Sequence, residues 1–289
     1  LPPANRRTGL LLTGLGLLLA TPTAAPAGEE ILLRYKFELG EVLRYEVAHQ
    51  AHVRSTIEET SQEVESTTES VKAWKVTDVL PNGEIEFMHV VESARMTNRR
   101  PNQGVAEYDS RETIEPPPFF AEAAKSIGVP LTQIRMTPSG KIVDREEKHP
   151  QPTVSEDMPI TLELPAEPIA VGEKWDRTYD VPANRKSGAK QKIRTRRLCR
   201  LKAIEAGVAV IEVDYQILTP VDAFVKSQLV ERLTTGTVRF DIARGRVLTQ
   251  RHVVDERILG FAGKASSMHF VARLEERLLK PDEKVATRE

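Results

Sequence analysis

The sequence contains a single cysteine, Cys199, among its 289 residues. No disulfide can form within the chain, and a cysteine-based metal site would need further thiolates. The fold must therefore be stabilised by a hydrophobic core. Hydrophobic residues make up 40% of the chain, which at this length is enough to build one.

An excess of charge of one sign is also absent, since the formal net charge is −1. Binding to the nucleic-acid backbone depends on a basic excess, so the composition argues against a general nucleic-acid binder. Aromatic residues amount to 5% of the chain, which leaves few rings to stack on bases. We expect no nucleic-acid partner.

Motifs for common catalytic chemistries are missing as well. There is no Gly-x-Ser-x-Gly elbow, no His-Glu-x-x-His helix, and no glycine-rich phosphate loop after a strand. His49 and His52 are three residues apart on a predicted strand and should face opposite sides. A metal site built from distant histidines stays open. We predict no catalytic residues, no cofactor and no metal ligands, and hence no enzyme.

Cys199 has two interpretations. Neighbouring arginines, Arg197 and Arg200, could lower the pKa of its thiol and make it reactive. The strand alternation instead places the thiol with Ile193 and Leu201 in the core. A buried, inert side chain is the favoured interpretation.

The N-terminal segment has the pattern of an export signal. Arg6 and Arg7 precede an apolar stretch from residue 9 to 20, and Ala25-Pro26-Ala27 fits a cleavage site after Ala27. The stretch is too short to span a bilayer core of about 30 Å, although an uncleaved anchor helix stays open. No later apolar run is long enough to span a membrane. We expect a periplasmic or secreted protein of bacterial envelope type, with no integral membrane span after signal removal.

From residue 31 onward the hydrophobic pattern has a period of two. Clear runs cover residues 43–57, 209–217 and 268–274, and turn signals such as Pro81-Asn82-Gly83 and Pro138-Ser139-Gly140 separate them. Such alternation is typical of antiparallel sheets with one wet face. One segment, residues 119–127 between three prolines and Gly128, predicts a short helix, with a solvent-exposed loop as the alternative. The predicted fold class is mainly β, with long antiparallel strands in a half-barrel or a sandwich.

The chain also indicates an internal repeat. Each half opens with an apolar segment and a Gly-Glu pair, and each closes with a similar hairpin, at residues 134–143 and 238–247. We predict a signal peptide (1–27), a first β unit (28–150), a second β unit (151–280) and a polar C-terminal tail (281–289). The polar, proline-containing residues 147–160 suit the connection between the units. Whether the units share one sheet stays open.

Three of these motifs carry a resemblance: the opening Leu-Arg-Tyr-Lys-Phe at residues 33–37, Val-Gly-Glu-Lys-Trp at 171–175, and Phe-Asp-x-x-x-Gly-Arg-Val at 240–247. They resemble an exported bacterial family that carries a domain-of-unknown-function label. More loosely, the chain is similar to half-barrel lipoprotein carriers, which implies an open curved sheet. Neither resemblance transfers catalytic residues.

Charge is strongly patterned within the neutral total. Between residues 185 and 202 there are nine basic residues and no acidic one. Six of them stand at even positions between 190 and 202 and should line one face of a strand. This candidate anionic-partner surface consists of Lys190, Lys192, Arg194, Arg196, Arg200 and Lys202. The matching hairpin of the first half is acidic, with five glutamates between residues 58 and 69. The basic row could be a solvated face, a platform for an anionic partner, or a complement to the acidic hairpin.

These observations favour a non-catalytic envelope protein that binds a hydrophobic or anionic ligand, such as a lipid, on a curved sheet. Eight apolar residues could line the concave face or simply form its core: Val47, Val53, Phe87, Val213, Tyr215, Phe224, Met268 and Phe270. The alternative is a periplasmic or cell-wall scaffold that contacts another envelope protein through its charged hairpins. The ligand and the oligomeric state are not determined by the sequence.

Overall fold

A computed structural model describes residues 30–101, 103–150, 161–281 and 283. The predicted signal peptide with its cleavage site after Ala27, residues 151–160 of the predicted connection, and most of the C-terminal tail lie outside the described residues. The strands of the first half are β1 (Val42–Ile57), β2 (Thr60–Val79), β3 (Ile85–Arg100), β4 (Gly104–Asp109), β5 (Pro130–Met136) and β6 (Ile142–Glu147). Those of the second half are β7 (Lys174–Asn184), β8 (Lys190–Glu205), β9 (Val208–Ile217), β10 (Thr235–Asp241), β11 (Arg246–Leu259) and β12 (Ser266–Leu278).

All twelve strands form one open antiparallel sheet, so the mainly β prediction is confirmed. The strand order is β6-β5-β3-β2-β1-β12-β11-β10-β9-β8-β7, with β4 paired to β3 off this path. The pairing of β1 with β12 runs from Tyr45 opposite Leu278 to Ile57 opposite Ser266. This long central ladder joins the two halves, so they share one sheet and are not two sandwiched domains.

The order of elements repeats along the chain. Three strands, a helix and two further strands occur first as β1–β6, apart from the side strand β4, and again as β7–β11. β12 is additional and completes the sheet by pairing with both β11 and β1. One boundary differs from expectation, because Glu147 belongs to β6 and not to the connection.

Side chains from both halves of the sheet pack together on one face. This inner face is the one that bears Tyr45, Trp74 and Phe240. Rings and aliphatic side chains from both halves meet there in a single core. The extended segment of residues 31–37 lies across that core, and Ile31 forms an isolated bridge with Ile169 of a second extended segment. The sheet is therefore curved, since strands far apart in its order contribute to one cluster.

The two similar closing hairpins hold the first extended segment between them. Tyr35 N donates to Pro138 O at 2.7 Å, and Lys36 N donates to Gly245 O at 3.0 Å. Gly140 and Gly245 both have positive φ, and a Cβ on Gly245 would lie 2.5 Å from Arg34 O. The glycines of the repeated hairpins are thus required for close approach of another backbone segment.

The helices are short. The predicted segment 119–127 forms a 3₁₀ turn at Pro118–Phe120 and one α turn, α1 (Ala121–Ala124), and Phe120 packs against Tyr108. A second helix, α2 (Ala223–Leu229), was not predicted and continues into a 3₁₀ turn at Val230–Arg232. Within the part of the chain that the structure describes, no helix is both long and apolar enough to cross a membrane.

Candidate functional site

A cavity of about 490 Å³ lies on the inner face of the second half. Its floor is formed by side chains of β1, β12, β11, β10, β9, β8 and β7, and its rim by residues between 228 and 234, from the end of α2 onward, and by Thr161 and Leu162. The volume falls in the range of roughly 300–1,000 Å³ that drug-sized ligands occupy. Six apolar side chains of the strands line its floor: Val213, Val238, Val254, Phe270, Ala272 and Leu274.

The helical segment over this cavity is fastened at both ends. The Asp222 side chain caps α2 by accepting a hydrogen bond from Val225 N at 2.9 Å. Gln228 exchanges two hydrogen bonds with the backbone of Asn184 on the edge strand β7. On the other side, Lys226 pairs with Glu256 of β11 at 2.8 Å. The segment therefore spans the inner face from β7 to β11.

Arg197 brings a positive charge to the cavity wall. It points inward from β8, and its Nη1 donates to Thr161 O at 3.1 Å. Its guanidinium carbon lies 5.0 Å from the centre of the Tyr215 ring. The Nε atom is buried without a hydrogen-bond partner, and no carboxylate of the described residues forms an ion pair with the guanidinium. Arg197 thus keeps unmet donors and an uncompensated charge.

His252 lies on the floor of the cavity, opposite Gly236 in the ladder of β10 and β11. A Cβ at position 236 would lie 2.4 Å from His252 Nδ1, so the glycine makes room for the imidazole ring. Burial, assisted by the positive charge of Arg197, lowers the pKa of His252 to about 4. The ring is therefore neutral at pH 7, and its Nδ1 is buried with no hydrogen-bond partner among the described residues.

A chain of polar side chains crosses the inner face beside the cavity. Gln250 Nε2 donates to Glu276 Oε2 at 2.7 Å, and Lys72 Nζ lies 2.7 Å from the same carboxylate. The Glu276 side chain is 5% exposed, so this charge is buried and neutralised by Lys72. Lys72 also lies 5.3 Å from the Tyr45 ring centre. The buried carboxylate is thus already paired and does not balance Arg197.

His49 lines the cavity from β1, while His52 faces the opposite side of the same strand, as the alternation predicts. Burial lowers the pKa of His49, partly opposed by the negative charge of Glu231. His49, Leu274 and His252 form one row across β1, β12 and β11. Two strand spacings, about 10 Å, separate the two histidine backbones.

The apolar residues predicted for the concave face divide between cavity and core. Val213, Tyr215 and Phe270 line the cavity. Phe87 is fully buried in the main core, with Val47 packed against it. The other three, Val53, Phe224 and Met268, pack around the α2 segment.

The six basic residues of the candidate anionic-partner surface stand on β8, and five of them are exposed. Arg194 pairs with Asp180 at 3.2 Å, and Lys202 pairs with Glu212 at 2.8 Å. Arg200 lies 3.9 Å from the same Glu212. Arg196 donates to the Gln216 amide, while Lys190 and Lys192 form no ion pair with any described residue. The acidic partners thus come from adjacent strands and not from the glutamates of residues 58–69.

The acidic hairpin contains a group of possible metal ligands. His52, Glu63 and Glu65 place one ligand atom each within 4.8 Å of one another, on the opposite face of the sheet from the cavity. His52 Nε2 lies 2.5 Å from Glu63 Oε1, and Glu65 lies 3.7 Å from Arg99. Each of the two carboxylates thus has a basic neighbour in this structure.

Cys199 is buried, which confirms the favoured interpretation from the sequence. It is 2% exposed, beside Leu201 at 0% and Ile193 at 1%. Burial raises the pKa of its thiol to about 12, against the opposing effect of Arg197. The thiol is therefore protonated and unreactive at neutral pH.

Sequence reasoning missed Arg197, His252 and the α2 segment as parts of a site. Arg197 has the same numbering parity as Cys199 and Leu201, which marks it as an inward-facing charge. Gly236 inside a strand pattern is a signal of close approach by a neighbour. Asp222 after Pro220 is a helix-start signal.

Fold and cavity together define an open antiparallel half-barrel whose inner face holds a partly polar cavity. No protein-family model matches the chain, and no curated protein matches it. Among solved structures, a structure titled "Lipid-protein interactions in lipovitellin" is similar, with a TM-score of 0.44 and 10% sequence identity. The match covers 88% of this chain and 27% of that chain, so the chain spans about a quarter of the lipovitellin chain.

Proposed function

We propose that this chain is a non-catalytic, exported protein of the bacterial envelope that binds a hydrophobic ligand on the inner face of its sheet. The observation that supports the proposal is the cavity of about 490 Å³ between the sheet and the α2 segment. Its aliphatic floor buries apolar ligand surface, and each methylene group transferred from water contributes about 0.8 kcal/mol. Export rests on the N-terminal sequence pattern.

Binding suits this site better than catalysis. A general base needs a nucleophile or substrate group within hydrogen-bond reach. His252 Nε2 is hydrogen-bonded to Gln250 Oε1 at 3.4 Å, and the thiol of Cys199 is protonated in the core. The polar groups of the cavity are therefore suited to orient a ligand.

The proposal is tested with the neutral apolar fluorophore N-phenyl-1-naphthylamine. We expect saturable binding at one site per chain, and loss of at least about 10-fold in affinity in Ala272→Trp, because the indole would occupy the space above the apolar floor. Ala272 is 9% exposed and lines the cavity. The matched control is Val105→Trp on β4, whose side chain is 47% exposed and remote from the cavity lining. No saturable binding by the wild-type protein, or equal binding by both folded variants, would contradict the proposal.

The basic surface supports a second proposal, that of contact with an anionic envelope component. Lys190 and Lys192 are exposed beside the edge strand β7 and lack an ion-pair partner among the described residues. Because such contacts are screened by salt, binding to anionic vesicles should be strong only at low ionic strength. The variant with Lys192, Arg194 and Arg196 changed to glutamine should lose this binding. Unchanged vesicle binding would refute the second proposal and leave the cavity proposal intact.

A further inference from the structure

The cavity contains more positive than negative charge. Arg197, Arg232 and Glu231 all line it, and none of the three forms an ion pair with a described residue. A further lining arginine, Arg273, is neutralised by Glu275. The other nearby carboxylate, Glu276, is paired with Lys72. His252 is neutral because burial and Arg197 lower its pKa. One positive charge in excess therefore remains on the wall of a largely apolar chamber.

Arg197 holds this charge in a defined position. Its Nη1 is bonded to Thr161 O, and its guanidinium lies against the Tyr215 ring, so the side chain is held in place before any ligand arrives. One of its five N–H donors bonds to Thr161 O, and the buried Nε has no hydrogen-bond partner among the described residues. Guanidinium groups match carboxylate and phosphate oxygens, and such charge-assisted bonds are about twice as strong as neutral ones.

The polar and apolar parts of the cavity are spatially separated. Arg197 and Tyr215 project from β8 and β9, whereas Ala272 and Phe270 project from β12 at the far side of the floor. A ligand that satisfies both parts has an acidic head at Arg197 and an apolar tail over β11 and β12. The cavity volume matches one drug-sized molecule, and hence one chain and its head group.

We infer that the ligand is a single-chain acidic amphiphile whose carboxylate or phosphate head binds Arg197 and whose apolar tail lies over Val254, Phe270 and Ala272. This inference rests on the proposed function and deepens it by assigning the ligand class. Arg197 acts as the anchor of the head group. The neutral imidazole of His252 adds a hydrogen-bonding group without adding charge.

The test compares three probes that share a twelve-carbon chain: dodecanoate, dodecyl phosphate and dodecanol. Each displaces bound N-phenyl-1-naphthylamine from the wild-type protein at pH 7.5, below its aggregation concentration. We expect at least one acid to compete about 10-fold more tightly than dodecanol, and the tighter acid identifies the head group. Equal competition by all three probes would overturn the inference while leaving the proposed function standing. Failure of the fluorophore itself to bind would overturn both.

Substitutions of Arg197 test whether this residue binds the head group. Arg197→Gln should remove the preference for acids over dodecanol, whereas Arg197→Lys should retain part of it. The matched control is Arg200→Gln on the same strand, where the side chain is exposed and faces Glu212. A preference that persists in folded Arg197→Gln would overturn the assignment of the anchor. If that variant does not fold, the wild-type comparison of acid with alcohol still decides the inference.

Discussion

The two ends of the inner face are built from the same alternating strands but differ in what fills them. At the closed end, Trp74 stacks on Phe87 at 4.8 Å and Tyr35 meets Phe240 edge to face at 5.4 Å. At the cavity, aliphatic side chains alternate with Arg197 and His252 and leave about 490 Å³ unfilled. Six buried rings pack together at the closed end, whereas the rings of Tyr179, Tyr215 and Phe270 line the cavity at the other end without filling it.

The difference between the two ends shows that the direction of a side chain and the filling of the core are separate properties. A period of two determines which side chains face inward, because successive residues point to opposite faces. It does not determine whether inward side chains have enough volume to fill the space between curved strands. Packing at the closed end contributes to stability, whereas the incomplete packing at the cavity provides a place for a ligand.

The largest expected change in stability comes from replacing one phenylalanine in each region by alanine, Phe87 at the closed end and Phe270 at the cavity. Phe87→Ala should reduce the free energy of unfolding by about 3–5 kcal/mol, because it opens a void in a filled core. Phe270→Ala should cost clearly less, since its ring borders the existing cavity. Urea denaturation measures both. Equal losses would show that the cavity wall is packed as tightly as the closed end.

The contact between the second closing hairpin and residues 31–37 at the closed end should give a smaller loss of stability when it is disturbed. Gly245→Ala should destabilise the protein by about 2–4 kcal/mol, because the new Cβ meets the backbone of Arg34 and Lys36. Gly188→Ala is the matched control, with φ of +84° but no atom within 4 Å of the new Cβ. It should cost only the left-handed strain of about 1–2 kcal/mol. If thermal unfolding gives the same loss of stability for both variants, the close approach of this hairpin to residues 31–37 does not contribute to stability.

The smallest expected effect is the change in folding stability for each unit of pH. We compare one buried histidine in each region. Burial lowers the pKa of His89, beside Trp74, and of His252, in the cavity, to about 4 each. The unfolded state takes up a proton near pH 6.5 and the folded state does not, so stability falls from about pH 6.5 to about pH 4. Each histidine contributes at most about 1.4 kcal/mol per pH unit. His89→Gln and His252→Gln should each flatten the measured slope. A slope unchanged in both variants would contradict the assigned burial.

Much of the fold follows from the sequence, because strand periodicity and turn glycines are local signals. The runs at residues 43–57 and 209–217 match β1 and β9, and the paired closing hairpins occur where expected. The helix α2 was missed because its start signals are short and a period of two dominates the surrounding chain. The single shared sheet depends on the distant pairing of β1 with β12, which no local pattern encodes.

The candidate site was less accessible to sequence reasoning. The basic row was found because six charges share one face, and it proved to be partly neutralised by Asp180 and Glu212. Arg197 belongs to the same basic run but faces inward, and none of the described residues gives it a carboxylate partner. That property depends on which residues of β9 and β11 surround it together with Thr161 and Leu162, and these come together only in the folded chain.

The most direct test of the cavity as a ligand site is a methyl NMR titration of valine-labelled protein with dodecanoate. We predict that the methyl signals of Val213 and Val254, which line the cavity, shift with one saturable isotherm. The signal of Val76, buried in the closed end, should stay in place. Shifts confined to exposed valines such as Val253, or no shift at saturating dodecanoate, would contradict the account.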